Sequence, residues 1–307
     1  MKKIALVLIG VFLTVSAYAA GDLHLFDINN KDGALTTQTL QKAFEKNGFK
    51  IALNNDMTKP FEKQFEKSDF KIFTLMTVYQ PELANKLIKV EAKSGVFVPM
   101  GVGIYQANGE NTLHVSLLTS EAQAKIIGIQ NNDILKKIET LALKSVREAL
   151  PNAKEYLSED SLKENRNLLS MFEYTLSGND AEKAKGDIKM NLEGNFAPHG
   201  FIMPSTMDFD ADVFDGNDNS NPFSFYETYS ICKLPVIYTV AKSRPEAAAF
   251  APCTLVVYKK KSEDKIILGF PAVYNWLSSA KVEDQEAKAT LLKAQEDFES
   301  ILKEITE

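Results

Sequence analysis

The sequence predicts an α+β protein in which one domain is written twice. Two observations carry this reading. The stretch FVPMGVGIY, residues 97–105, returns as FAPCTLVVY, residues 250–258, so that Phe97, Pro99, Met100 and Tyr105 fall on Phe250, Pro252, Cys253 and Tyr258 at a shift of 153. Upstream, Leu40, Phe44, Gly48 and Phe49 fall on Leu192, Phe196, Gly200 and Phe201 at 152, and Pro81 falls on Pro235 at 154. Within each copy, runs with the two-residue period of strands are interleaved with helices of 3.6-residue period. An internal repeat fixes the architecture before any motif does.

The elements follow in order. LHLFDI (23–28) and MFEYTL (171–176) read as opening strands. Thr36 is an N-cap, Leu35 and Leu40 form a hydrophobic staple, and Leu40, Ala43 and Phe44 share one helical face before Asn47 and Gly48 stop the helix. The second copy keeps Leu192 and Phe196 at the same spacing but carries Pro198, which distorts its last turn. Strands are expected at 49–53, 70–78, 97–106 and 112–118, with counterparts ending at 271. A long amphipathic helix closes each copy, marked by Ile134, Ile138, Leu141 and Ala142 in the first and by Leu291, Ala294, Phe298, Ile301, Leu302 and Ile305 in the second. The domains are thus expected at 21–150 and 171–307, each with its own core and able to fold alone, joined by a polar linker at 151–170.

Residues 1–20 have the order of a secretory signal peptide: the basic Lys2 and Lys3, an apolar run of twelve, then Ser16 to Ala20 with small residues around an A-Y-A step. The apolar run is shorter than the roughly 20 residues a membrane span needs. The mature protein is therefore expected to be soluble and periplasmic, with no membrane span after cleavage. Losing Lys2 and Lys3 moves the formal charge from -6 to -8, which argues against nucleic acid as a partner.

The order strand, helix, Gly-Phe strand, the helix start QPELANKL and a Pro-Cys or Pro-x step opening a strand that ends near Tyr resembles the domain-of-unknown-function 302 family, present here twice. The resemblance covers nearly the whole mature chain. It implies a β-α-β(4)-α domain, similar in outline to the TATA-binding-protein fold, with helices on one face of an antiparallel sheet. Fold outline carries no function. Family members commonly place a Cys two residues before the helix-starting Pro, where this chain has Tyr79 and Lys233. Cys232 lies one residue earlier, and only Cys253, in the Pro-Cys step, matches cleanly. The first copy has Met100 there, with Val78 at the position aligned to Cys232 through the prolines.

Cys232 and Cys253 are the sharpest candidates for chemistry. They can form a structural disulfide, remain buried thiols, or serve as a redox pair or soft-metal site for Cu(I) or Zn(II). Of the three histidines, His24 and His114 fall on strands and His199 before a turn, none at a metal-ligand spacing from another His or Cys. No nucleophile motif, phosphate loop or dinucleotide fingerprint occurs, so no catalytic residue and no cofactor is assigned. Asp208, Asp210, Asp212, Asp215 and Asp218 crowd one loop, but Val213 and Asn219 stand where a calcium loop needs Gly and Glu. Met203 and Met207 read as core filling, and Phe223, Phe225, Tyr226 and Tyr229 as sheet residues. The leading expectation is non-catalytic binding of a small ligand or a protein partner. The alternative is a thiol or soft-metal protein built on Cys232 and Cys253.

Overall fold

The computed structural model describes residues 21–163, 167–176, 178, 180–214 and 220–307. The signal-peptide expectation for residues 1–20 lies outside them, as do Asp215 and Asp218 of the acidic loop. The first half runs β1 (Leu23–Asn29), α1 (Thr37–Lys46), β2 (Lys50–Asp56), α2 (Thr58–Phe65), β3 (Phe70–Tyr79), α3 (Pro81–Val90), a 3-10 segment (Ala92–Phe97), β4 (Met100–Ala107), β5 (Thr112–Leu118), α4 (Ser120–Ile127), α5 (Asp133–Ala149) and β6 (Lys154–Leu157). The second repeats the plan as β7 (Leu169–Thr175), α6 (Ala181–Phe196), a 3-10 turn (Ala197–His199), β8 (Phe201–Asp208), α7 (Phe209–Asp212), β9 (Phe223–Lys233), α8 (Leu234–Ala241), a second 3-10 segment (Pro245–Phe250), β10 (Cys253–Lys260), β11 (Lys265–Pro271), α9 (Tyr274–Ser279) and α10 (Gln285–Thr306).

Both sheets are antiparallel, in the orders β2-β3-β4-β5-β1-β6 and β8-β9-β10-β11-β7. The first five strands of one match the five of the other, so the duplicated α+β reading holds. Local signals place the helices. Leu40, Ala43 and Phe44 are the buried face of α1, and Gly48 takes the left-handed φ of 84° that ends it. Pro198 ends α6 in the 3-10 turn. Part of the 151–170 segment is not a bare connection: β6 adds a sixth strand beside β1.

The expectation of one private core per half is corrected. One core combines the inner face of the second sheet with Phe61, Phe73, Leu75 and Leu118 of the first half. The other combines the first half's own interior with Phe209, Phe223, Tyr226, Val256 and Tyr258 of the second. Strand alternation sorts the two sides: Leu255 and Val257 go to one core, Val256 and Tyr258 to the other. Each sheet has its own long helices on one face and the other half's 3-10 segment on the other. Asp22 adds a polar tie, accepting from Leu162 N (2.5 Å) of the joining segment and from Ser279 Oγ (2.6 Å) of the second half.

Candidate functional site

The site develops at one end of the second sheet, where β9 runs into α8 and the 3-10 segment returns to β10. The register sets Cys253 opposite Ile231, and in the first half Met100 opposite Val78. Cys232 is therefore level with Tyr79, not with Val78 as the proline alignment has it. The same shift of 153 relates the starts of α3 at Pro81 and α8 at Leu234, so the one-residue discrepancy belongs to the helix start, where Pro235 takes the second helical position.

This substitution of small for large side chains coincides with a cavity. Its volume is about 40 Å³, against the roughly 10–15 Å³ that a single water needs. Ile231, Cys232 and Cys253 line it from the sheet and its edge, Val236 and Ile237 from α8, and Trp276 from α9. Leu291, Ala294 and Phe298 of α10 close the other side. Aromatic packing frames it: Phe270 stacks on Phe298 at 3.9 Å between centroids and Phe250 on Trp276 at 5.7 Å. Two polar residues border the apolar wall. Gln295 is fully engaged, its Oε1 accepting from Val273 N and its Nε2 donating to Ser170 Oγ and Glu299 Oε1. Lys233 lies with Nζ 2.9 Å from Asp297 Oδ2 and 4.7 Å from the Phe201 ring centroid. Burial opposes ionisation of Asp297, but its bonds from Lys233 and Lys293 outweigh that and hold the carboxyl below the usual range.

Cys232 and Cys253 are both unbonded, Cys232 buried and Cys253 partly exposed. Burial pushes both thiols up, Cys253 to about 12, with the neighbouring Cys253 adding to the rise at Cys232. Thiols so placed stay protonated at neutral pH and are poor nucleophiles. Among the described residues, no group of three or more His, Cys, Asp and Glu is arranged to hold a metal ion.

The other candidates lie elsewhere. His24 Nε2 is 2.9 Å from Glu139 Oε1, and the Ser120 amide and hydroxyl also bond that carboxylate. His199 Nδ1 is 2.9 Å from the Asn195 carbonyl oxygen. Asp208 accepts from Asp210 N and caps α7, Asp212 accepts from Asp208 N, and Asp210 accepts from Asn221, so these carboxylates serve the local turn. Met207, Phe223, Phe225, Tyr226 and Tyr229 are core residues, while Met203 packs against the core's margin. Sequence reasoning missed the environment of His114, whose ring lies between Asp27 and Glu110. Asp27 and His114 are 87 residues apart and meet only through the pairing of β1 with β5.

Both halves match the family model described as "Domain of unknown function DUF302", over residues 28–153 and 181–305. The chain belongs to this family and carries its domain twice. A crystal structure of an uncharacterized conserved DUF302 protein from Bacillus stearothermophilus is similar at 13% identity and a TM-score of 0.35, covering 46% of this chain and 100% of that one. No curated protein matches the chain. Among the described residues, no helix is long and apolar enough to cross a membrane.

Proposed function

We propose that this is an exported, periplasmic, non-catalytic protein that binds a small apolar ligand in the cavity of its second half. The observation that carries the reading is the contrast between the halves: Met100 and Tyr79 stand in the first where Cys253 and Cys232 border a cavity in the second. An apolar cavity of this kind admits small apolar guests and resists water. Xenon is the direct probe. Its NMR shift should respond to the wild-type protein and much less to Cys253→Met, which introduces the residue of the first half. An equal response from both would overturn the cavity reading. Export is tested separately by N-terminal sequencing of the native protein, which should begin near Gly21; an intact Met1 on mature material would reject it.

A second reading rests on the two thiols at one cavity. Under oxidising conditions Cys232 and Cys253 would form a disulfide, or with thiols retained they would hold a soft ion. Their protonation by burial weighs against metal binding, since thiolates are the ligands. Native mass spectrometry distinguishes the states: a loss of two hydrogens marks the disulfide, and added copper or zinc mass marks the ion. Unmodified thiols without metal would leave the apolar-ligand reading standing alone.

A further inference from the structure

The strongest unassigned cluster lies away from the cavity, at the margin between the halves. His114 Nδ1 is 2.7 Å from Asp27 Oδ1 and its Nε2 is 2.8 Å from Glu110 Oε1. The ring stacks on Tyr105 at 4.9 Å between centroids. Tyr156 of β6 donates to Asp27 Oδ2 at 3.0 Å, and Lys154 Nζ lies 4.8 Å from the Tyr156 ring centroid. From the second half, the 3-10 segment packs on β4 and on β5, the strand that carries His114; its Glu246 is paired with Arg244 at 2.9 Å between Oε1 and Nε, and His114 acts to lower the Glu246 carboxyl. Asp160 of the joining segment also acts on Glu246.

Counting hydrogen-bond donors defines the chemistry. A neutral imidazole has one N–H and can donate to only one carboxylate; the imidazolium has two and can satisfy both. We propose that His114 is a proton-operated clasp: its charged form draws Asp27 and Glu110 together and steadies the second half's 3-10 segment through Glu246. Removing the proton turns one ring nitrogen into a lone pair facing a carboxylate. It also removes a positive charge that acts on Glu246, leaving Arg244 to offset Asp160 there. The 3-10 segment then loosens at the end that carries Glu246. Its other end stays seated, because Ala248 and Ala249 pack against Gly103 and Gly101 of β4.

The linkage has a definite sign, because a state that holds a proton is favoured as pH falls and weakened as pH rises. The test uses the mature chain. Nitrogen-correlated NMR of the His114 ring reports its protonation, and hydrogen exchange of residues 245–250, corrected for the intrinsic effect of pH, reports opening. Opening should rise about five-fold as the His114 proton is lost, at the low end of couplings between linked sites. The change should vanish in His114→Gln and shrink in Glu246→Gln. A ring that carries one proton while both carboxylates remain engaged would overturn the proposal. So would the same pH-dependent opening in His114→Gln.

Discussion

Cys253 and Met100 hold the same register position in the two sheets, and the difference in their volumes accompanies the cavity. Filling it should stabilise the fold if the longer side chain finds an unstrained rotamer. Cys253→Met is expected to gain about 1 kcal/mol in urea unfolding, with a loss of stability indicating a wall too rigid to accept it. Glu246 gives a prediction in the pH dimension. Burial raises its carboxyl, and this wins over the lowering by a backbone bond, Arg244 and His114. A raised value means that the folded state favours the protonated acid. The contribution is present below the ordinary value of 4.5 and is lost as pH rises through the elevated one. Glu246→Gln should therefore flatten the decline of stability between the ordinary and the elevated value, by within about 1 kcal/mol. Denaturant melts across that range decide the point, and an unchanged slope would reject the assignment.

The paired 3-10 segments show how elements of a duplicated fold diverge to fit each other. A Cβ on Gly103 would lie 2.6 Å from Ala248 Cβ and 2.5 Å from Ser116 Oγ, so glycine is required for close approach. In the reciprocal contact, a Cβ on Gly95 would lie 1.9 Å from Tyr226 Oη, and that hydroxyl donates to the Ala92 carbonyl at 2.5 Å. The repeat pairs Gly95 with Ala248 and Gly103 with Val256 at the shift of 153 that aligns Phe97 with Phe250, so the two copies carry different residues at both close contacts. Gly103→Val should cost about 3 kcal/mol through overpacking. Adding Ala248→Gly should recover part of that loss, because contacting sites couple. A double-mutant cycle in denaturant measures the coupling; strictly additive losses would mean that the two residues do not share the strain.

For the molecule as a whole, the shared cores replace the expectation of separable domains. Each half cut from the chain would expose the apolar sheet face that the other half covers, and exposed patches of that kind drive association. Fragments 21–163 and 167–307 should each bind a hydrophobic dye and melt without a cooperative transition. Mixed together, they should recover cooperative unfolding. Independent cooperative melting of both fragments would show that either core is sufficient without its cross-half residues.

The duplication, the order of the main strands and long helices and the family were legible in the residues alone, because those signals are local: the repeated Phe-Pro-Tyr pattern, the Leu40 and Phe44 spacing, and the stops at Gly48 and Pro198. The aromatic run of β9 read as sheet for the same reason. Which face of each strand meets which half was settled only by the folded chain. Period-two alternation says that Val256 and Val257 point oppositely, but not that both sides are buried. The cavity and the His114 cluster were likewise beyond reach of spacing. Cys232 and Cys253 come to line one cavity because β9 and β10 pair with Cys253 opposite Ile231, and His114 meets Asp27 through β5 and β1, with the segment that carries Glu246 packed on β5 from the other half. Such contacts depend on where an entire sheet is placed, a choice made by the burial of both its faces at once and not by any short run of residues.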